Sequence, residues 1–286
     1  MRITVKAHAK INWSLNILAL RDDGYHELDM LMQSLELCDE LSFENARWLT
    51  LNVDNRRLPN GERNLIIRAA NALNEYMGTR HGARIQLKKR IPARAGLGGG
   101  SADCAAALLA LNRLWNLRLP LRTLLDVGRK LGADVPFCLT GGLARVGGIG
   151  EKLSAVAGAP SIPLALVTPG GGLSTPGVFK AWDEGGYAIA PADMDALADC
   201  LVRGDLEAAQ DLSINALEPP AIRLMPEIGR IMEVFRRMDA RFVRMTGSGS
   251  TVFAAFHTDE QAQAAAHAVP GAIFTRTLGE HTPSGI

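Results

Sequence analysis

The glycine-rich segment Pro92–Ala102, with the sequence PARAGLGGGSA, contains the residue types that most directly indicate chemistry in this chain. It follows Arg84–Ile91, whose alternating apolar side chains predict a strand, and it precedes apolar residues at helical spacing from Cys104 to Trp115. We expect Ser101 to cap that helix. A strand that passes through four glycines into a helix exposes backbone N–H groups at the positive end of the helix dipole, where a phosphate binds favourably.

The glycine segment matches neither of the two common nucleotide-binding patterns. No Gly-Lys-Ser/Thr closes it, as a Walker A loop requires, and Ser101 stands where the third glycine of G-x-G-x-x-G belongs. A flexible connection is the alternative, because glycine clusters often mark loops. Against a plain loop, four glycines raise the entropy of the unfolded chain and so make folding less favourable, whereas a helix cap needs only one small residue. Phosphate binding is therefore the favoured interpretation, and a plain loop stays open.

Polar and apolar side chains alternate along residues 3–17, which predicts one unusually long strand that is half buried. The polar row brings four side chains to one side of this strand, namely Lys6, His8, Lys10 and Asn12. For each of these residues taken alone, an ordinary solvent-facing position is the favoured interpretation. A shared functional face is the alternative.

Two turns place further polar residues at the ends of predicted elements. The turn at Asp23-Gly24 puts Tyr25 and His26 at the start of the next extended run, where they would form either a stacking platform or a packed corner. Asp134 stands two residues before Pro136, a spacing typical of a helix N-terminus, so we expect Asp134 to cap a short helix. A capping carboxylate stays ionised, so this position is compatible with a second role.

The composition excludes several classes of protein. The chain has 286 residues, of which 47% are hydrophobic and 21% charged, and a formal net charge of +1 provides no overall field to attract nucleic acid or an anionic membrane. The four cysteines are far apart in sequence, so they predict free thiols in a reducing compartment rather than disulfides or a zinc site. No secretory signal and no apolar run long enough to span a bilayer are present, so we expect a cytoplasmic location.

The order of predicted strands and helices is that of an α+β chain with two domains. A stretch of small and turn-forming residues, AVAGAPS, marks the boundary and gives domains of 1–155 and 156–286. In the second domain, we expect a short helix from Thr175, a loop at 183–192 and a loose tail at 279–286. Its closing order of helix, strand, strand, helix and strand resembles a split β-α-β unit, or ferredoxin-like half.

Three separated segments resemble the motifs of the GHMP small-molecule kinases. They are Ala7–Leu28 (AHAKINWSLNILALRDDGYHEL), Lys89–Ala107 (KRIPARAGLGGGSADCAAA) and Met245–Phe256 (MTGSGSTVFAAF). The combination of A-K-I-N, D-G-Y-H-E-L and the L-G-A-D-V-P-F of Leu131–Phe137 is similar to the branch of this family that phosphorylates a cytidyl sugar alcohol in the non-mevalonate route to isoprenoids. The resemblance implies a two-domain GHMP-kinase fold. Its N-terminal mixed α/β domain would resemble the ribosomal-protein-type domain 2, and its C-terminal α/β domain would be ferredoxin-like.

The resemblance also implies roles for the matching residues in transfer of the γ-phosphoryl group of ATP, with Mg²⁺, to the 2-hydroxyl of the substrate. The catalytic pair would be Lys10 and Asp134. The ATP-phosphate loop would comprise Pro92, Ala93, Arg94, Ala95, Gly96, Leu97, Gly98, Gly99, Gly100, Ser101 and Ala102. The residues that close over the phosphates from the second domain would be Gly247, Ser248 and Gly249. The cytidyl-substrate site would comprise Asn12, Tyr25, His26, Thr175 and Phe179.

Within that substrate site, Tyr25 and Phe179 would stack on the cytosine ring and His26 would bind its edge. No residue is assigned as a metal ligand. The implied partners are ATP and the cytidyl sugar alcohol, without nucleic acid or membrane, and the expected state is a monomer or weak homodimer. Three positions depart from the family pattern, namely His8, the pair Trp13-Ser14, and Ala102.

Two alternatives to this function stay open. The first is another kinase of the same family, with homoserine, mevalonate or galactose as substrate, although D-G-Y-H-E-L argues against a substrate without a nucleotide. The second is an RNA-binding module, because the predicted first domain resembles domains of ribosomal proteins. The balanced charge and the absence of a basic sheet studded with aromatic residues count against it.

Overall fold

The computed structural model describes residues 2–55 and 58–279. Within these residues the chain forms ten strands and ten helices. The strands are β1 (Arg2–Leu20), β2 (His26–Ala46), β3 (Thr50–Val53), β4 (Gly82–Lys88), β5 (Leu143–Gly148), β6 (Lys152–Val156), β7 (Pro163–Val167), β8 (Phe242–Met245), β9 (Val252–Ala255) and β10 (Ile273–Arg276). The helices are α1 (Leu65–Met77), α2 (Gly99–Leu114), α3 (Leu121–Leu131), α4 (Val135–Thr140), α5 (Thr175–Gly185), α6 (Met194–Arg203), α7 (Leu206–Leu212), α8 (Glu218–Leu224), α9 (Glu227–Arg236) and α10 (Asp259–Ala268). None of these ten helices combines the length and the apolar character that crossing a membrane requires.

The first sheet contains β1 to β6. Its order is β3-β4-β2-β5-β6, with β1 paired to β2, and only β3 and β4 run parallel. β1 and β2 form a long antiparallel hairpin whose register shifts at three places, the first between His8 and Lys10. Such irregularities bend a strand. The bent hairpin contributes side chains to the hydrophobic cores of both halves of the chain. Helices α1 to α4 pack with this sheet around a core that contains residues of the first half alone.

The second sheet has the order β10-β7-β9-β8, and every neighbouring pair is antiparallel. Along the chain, β7 is followed by helices α5 to α9, then by β8 and β9, α10 and β10. The first sheet ends at Val156 and the second begins at Pro163. The division into 1–155 and 156–286 therefore falls at the end of β6, and it stays a prediction, as do the ribosomal-protein-type and ferredoxin-like descriptions of the two parts.

The two sheets share most of their hydrophobic core. Two of the three core clusters combine side chains from both halves of the chain. Trp13 of β1, for example, packs edge-on against Phe242 and Phe253 of the second sheet, with ring centroids 4.9 and 5.5 Å apart. β1 is thus a strand of the first sheet that also supplies core to the second.

The polar row of β1 is buried from Lys10 onward, which corrects the expectation that these residues face solvent. Lys6 is exposed, as the alternation predicts, but the alternating pattern ends shortly after it. Beyond that point a segment of the second half covers the row, and Ser14 Oγ donates a hydrogen bond to Ile214 O at 2.7 Å. The covering segment lies 200 residues away in sequence, so the local pattern contains no sign of it.

The sequence predicts a helix that Asn64 caps and Gly78 ends, and the structure confirms it. Asn64 caps α1 by accepting a hydrogen bond from Ile66 N, and Gly78 ends this helix in the left-handed conformation. The sequence also predicts helices over Leu121–Leu131, Leu206–Leu212 and Asp259–Ala268, and α3, α7 and α10 have these bounds. The sequence does not predict α8, because the adjacent Pro219 and Pro220 hide its helical pattern, although prolines are tolerated in a first turn.

Two local predictions are wrong. Ser101 does not cap α2, because this helix already begins at Gly99. The predicted loop at 183–192 starts too early, because α5 continues to Gly185. The predicted tail at 279–286 lies outside the described residues except for its first.

Candidate active site

A cavity of about 1010 Å³ is lined by residues from both halves of the chain. The predicted site residues on its surface are Lys10, Asn12, Tyr25, His26, Pro92, Ala93, Arg94, Ala95, Gly96, Leu97, Gly98, Gly99, Gly100, Ser101, Asp134, Thr175, Phe179, Gly247 and Ser248. Two predicted residues, Ala102 and Gly249, do not line it. Ala102 belongs to the core beneath α2, and the N–H of Gly249 donates to Thr246 O within the β8–β9 turn.

Helix α2 presents its N-terminus to the cavity without a side-chain cap. Gly98, at φ 68°, occupies the capping position, and its carbonyl accepts the first helical hydrogen bond from Ala102 N at 2.9 Å. The N–H groups of Gly99–Ser101 precede that bond and have no partner within the helix. A Cβ atom on Gly98 would lie 2.9 Å from Lys10 Cγ, so both the turn and the close approach require glycine. The turn therefore offers three backbone donors to an anion at the positive end of a 16-residue helix.

The glycine segment packs directly against the β8–β9 turn of the second half. Gly96, at φ 78°, approaches so closely that a Cβ atom there would lie 2.3 Å from Thr246 O. Thr251 N donates to Ala95 O at 3.2 Å. Thr246 Oγ1 accepts from Asn12 N at 3.0 Å. These contacts fix the glycine segment between β1 and the second sheet.

Lys10 and Asp134 meet beside the glycine segment. Lys10 is 4% exposed, and its Nζ lies 2.8 Å from Asn12 Oδ1 and 3.5 Å from Asp134 Oδ2. The backbone N–H of Lys10 donates to Leu97 O at 3.0 Å, which ties β1 to the glycine segment. The ammonium is thus held between a carboxylate and the anion site.

Asp134 takes the predicted N-cap position of α4 but does not cap the helix with its side chain, which corrects that part of the prediction. The backbone closes the turn instead, because Val135 N donates to Gly132 O and Cys138 N donates to Asp134 O. The Asp134 carboxylate is partly exposed and is free to face Lys10. A short helix and its turn therefore position the carboxylate without using its oxygens as hydrogen-bond acceptors for the helix cap.

The other end of the cavity is aromatic. His26 Nε2 lies 2.8 Å from Asp183 Oδ1, and the imidazole stacks on Phe179 with ring centroids 4.9 Å apart and planes inclined by 25°. Phe179 and Asp183 are four residues apart on α5, so one face of this helix contacts His26 twice. Tyr25 is 62% exposed beside them. Between the two ends, Thr175 Oγ1 and Ser248 Oγ share a hydrogen bond of 2.8 Å.

Two features of the site are missed by the sequence reasoning. The first is Asp183, which the sequence reasoning places in a loop although its spacing from Phe179 is that of one helical turn. The second is a buried cluster of Asp39, Lys89 and Asp103 beside the glycine segment. The detectable signal for the cluster is Asp103, a charged residue within the apolar face of a predicted helix.

In the cluster, Lys89 Nζ donates to a carboxylate oxygen of Asp39 and to Asp103 Oδ2, the latter at 3.1 Å. All three side chains are almost fully buried, although Lys89 and Asp103 reach the cavity wall. Asp103 Oδ1 has no hydrogen-bond partner among the described residues. Burial raises the pKa of Asp103 to about 8, an effect that Lys89 opposes and Asp39 reinforces.

The arrangement is suited to transfer of a phosphoryl group. One end presents backbone donors of the kind that suit phosphates, and an ammonium and a carboxylate lie next to them. The other end has two aromatic rings and an imidazole for a flat heterocycle. Lys10 and Asp134 line the same cavity as both of these ends.

Comparison with known proteins identifies the family of this chain. Residues 64–142 match the model of the GHMP kinases N-terminal domain, and residues 197–273 match that of the GHMP kinases C-terminal domain. A protein of Pelotomaculum thermopropionicum, named 4-diphosphocytidyl-2-C-methyl-D-erythritol kinase, is 44% identical over 88% of each chain. A crystal structure of 4-(cytidine 5'-diphospho)-2C-methyl-D-erythritol kinase superposes with a TM-score of 0.84 at 36% identity, covering 97% of this chain and 100% of that one.

Structures with much lower sequence identity share the fold. A homoserine kinase structure from Cytophaga hutchinsonii has a TM-score of 0.75 at 19% identity, with 98% of this chain and 96% of that chain covered. At such low identity the likeness concerns only the fold.

Proposed function

Because the chain belongs to the GHMP kinase family, and within it to the 4-diphosphocytidyl-2-C-methyl-D-erythritol kinases, we propose that the two ends of its cavity bind ATP and this cytidyl sugar alcohol. The enzyme transfers the γ-phosphoryl group of ATP to an alcohol of the non-mevalonate isoprenoid pathway, and we assign the 2-hydroxyl as the acceptor. The observation that carries the assignment of the site is the 3.5 Å separation of Lys10 Nζ and Asp134 Oδ2 beside the N-terminus of α2.

The ATP phosphates would lie against the glycine segment. The backbone donors of Gly99–Ser101 point to that position, and Gly247 and Ser248 line the same cavity from the second half. A Cβ atom on Gly247 would lie 3.5 Å from Lys10 Nζ, so the turn approaches the reacting centre closely. We therefore assign Gly247 and Ser248 to the closure over the phosphates, with Gly249 shaping the turn behind them.

Lys10 and Asp134 would act at the step of transfer. The acceptor oxygen forms a bond to the γ-phosphorus while the bond from that phosphorus to the bridging oxygen of ADP breaks. Asp134 orients the hydroxyl and takes its proton, and Lys10 offsets negative charge on the moving phosphoryl group. In a loose transition state, position and charge neutralisation matter more than the strength of the base.

Mg²⁺ would accompany ATP. No group of three or more His, Cys, Asp or Glu side chains suited to a metal is present among residues 2–55 and 58–279. This composition fits an ion held mainly by phosphate oxygens and water, which is the usual mode for Mg²⁺. The ion would neutralise charge on the β- and γ-phosphates.

The cytosine ring would bind at the aromatic end. Tyr25 and Phe179 offer ring faces, and a ring stack on a base contributes about 1–3 kcal/mol. His26 would bind the edge of the base, with Asp183 holding its imidazole. Asn12 and Thr175 lie between this end and the phosphates, where the sugar alcohol would pass.

A substrate panel tests this function. The cytidyl sugar alcohol, homoserine, mevalonate and galactose are each incubated with the enzyme, ATP and Mg²⁺, and ADP release is measured. We expect turnover with the cytidyl substrate alone. Turnover of homoserine or mevalonate in its place would make the enzyme another member of the family, and RNA binding without any kinase activity would favour the RNA-binding module.

Further proposals concern the context of the enzyme. The cavity is complete within one chain, which supports a monomer or weak homodimer. The four cysteines are free thiols, which supports the cytoplasm as the location. The net charge of +1 supports the absence of nucleic acid and membrane partners. The two domains would be 1–155, with the glycine segment and the base site, and 156–286.

A further inference from the structure

The cluster of Asp39, Lys89 and Asp103 connects the two ends of the glycine segment. Asp39 Oδ1 accepts hydrogen bonds from Arg90 N at 2.5 Å and from Ile91 N at 2.9 Å, just before the segment begins. Lys89 then bridges Asp39 to Asp103, which lies in the second turn of α2, just after the segment ends. The cluster therefore joins the strand side of the segment to the helix side.

Lys89 also lies directly against the anion site. A Cβ atom on Gly99 would lie 2.9 Å from Lys89 Nζ, so the ammonium packs on the first residue of α2. Asp103 follows Gly99 by four residues, or about 6 Å of helix rise. A change of charge in the cluster therefore acts on the phosphate position at short range.

The charges of the cluster do not balance if both carboxylates are ionised. One ammonium would then face two carboxylates, and a net negative charge would be buried beneath a site for phosphates. Asp103 Oδ1, which has no partner among the described residues, is the oxygen that is least stabilised as an anion. Burial and the neighbouring Asp39 raise the pKa of Asp103 to about 8, which favours its neutral form at pH 7.

We propose that Asp103 holds a proton at neutral pH and acts as a positioning residue for ATP. Together with Asp39 it keeps the Lys89 ammonium against Gly99, and its ionisation in alkaline solution weakens the binding of ATP. This inference rests on the proposed function, because ATP is the anion concerned.

Other titratable groups near Asp103 do not change charge in the same range. Cys104, its neighbour on α2, has its pKa raised to about 12, mainly by burial. Cys138 on α4 has its pKa raised well above its usual value, again mainly by burial. Arg68 of α1 acts on Cys104 and is a permanent cation. Lys89 and Asp39 are the charged groups that act on Asp103 directly.

The test measures KM for ATP and kcat from pH 6.5 to 9 in the wild type and in Asp103→Asn and Asp103→Ala. In the wild type, we expect KM for ATP to rise about tenfold across pH 8, on the scale of one added charge near the phosphates. Asparagine is neutral and has one acceptor and one donor group, as a protonated aspartate does, so Asp103→Asn should show no such rise. Asp103→Ala should raise KM for ATP at every pH, because Lys89 loses a partner.

A matched control is Glu40→Gln. Glu40 is the neighbour of Asp39 on β2, but its carboxylate pairs with Lys88 at the surface. Its removal should leave the pH profile of KM for ATP as in the wild type. Titration calorimetry with ADP over the same pH range separates binding from turnover.

The outcomes distinguish this inference from the proposed function. An equal rise of KM across pH 8 in the wild type and Asp103→Asn would overturn the inference, as would a KM in Asp103→Asn as high as in Asp103→Ala at pH 7. The absence of ATP and ADP binding at any pH in the wild type would instead overturn the proposed function.

Thermal unfolding gives a second readout. The pKa of Asp103 is raised in the folded state, so its proton stabilises the fold fully below the pKa of an unfolded aspartate, and this contribution is lost progressively as the pH rises from there to about 8. The melting temperature of the wild type should therefore fall relative to that of Asp103→Asn from pH 6.5 to about 8 and change little relative to it above pH 8. Parallel curves for the two proteins would contradict a protonated Asp103.

Discussion

The two ends of the cavity are built in different ways. At the phosphate end, Lys10 and Asn12 are 4% and 2% exposed, and backbone hydrogen bonds from both halves of the chain fix their positions. At the aromatic end, Tyr25 is largely exposed, and one polar contact and one ring stack hold His26. In the assignment that we propose, the fold would therefore set the geometry for transfer, whereas a few side chains would set the recognition of the base. Changes at the first end should lower kcat, stability or the affinity for ATP, and changes at the second should raise KM for the cytidyl substrate.

The largest effect is expected for Asp134→Ala. Loss of the carboxylate removes the group that orients the hydroxyl and takes its proton, so kcat should fall by a factor of about 10²–10⁴. The binding of ATP and of the cytidyl substrate should stay within a few fold, because neither is held mainly by Asp134. Steady-state kinetics and calorimetry check both parts. A kcat equal to that of the wild type would refute the assignment.

A backbone change at the phosphate end should have the next largest effect. Gly96→Ala places a Cβ atom 2.3 Å from Thr246 O at a left-handed φ, so we expect a loss of about 2–4 kcal/mol in stability and weaker ATP binding. Gly61→Ala is the matched control, because no atom lies within 4 Å of its added Cβ. Chemical denaturation compares the two, and equal stabilities would show that the segment tolerates displacement.

At the aromatic end, Tyr25→Ala should raise KM for the cytidyl substrate by about 5- to 100-fold, since a base stack contributes about 1–3 kcal/mol. KM for ATP and the kcat at saturation should change little. Initial rates with each substrate varied in turn provide the measurement. A change in KM for ATP alone would mean that the two ends of the cavity are assigned the wrong way round.

The smallest effect is expected for Asp183→Asn. The variant removes the charge that holds His26 Nε2 but keeps the shape of the side chain, so KM for the cytidyl substrate should rise by about 3- to 10-fold. Glu184→Gln, on the same helix but in an ion pair with Lys180, should behave as the wild type. Equal KM values for the two variants would mean that Asp183 does not position His26.

Local patterns predicted much of this structure. The alternation of polar and apolar residues predicted β1 and β4, and the capping residues predicted both ends of α1. The glycine segment was placed at the start of a helix because its neighbours have strand and helix periodicities. The position of Ser101 was wrong, since a left-handed glycine replaced a side-chain cap.

The contacts that complete the site were beyond a local pattern. Asn12 and Thr246 are 234 residues apart, and His26 and Asp183 are 157 apart. A polar residue in a strand looks the same whether solvent or another part of the chain will cover it. The sequence therefore indicated candidate functional residues. The prediction that Lys10 and Asp134 form a pair came from the resemblance to a family.

The buried polar face of β1 bears on how the enzyme forms during synthesis. The turn that covers Asn12 leaves the ribosome more than two hundred residues after β1 does. Until then Lys10, Asn12 and Ser14 keep one face of the nascent strand compatible with water. These polar side chains, which we assign to the phosphoryl-transfer site, would therefore leave less apolar surface exposed on the incomplete chain.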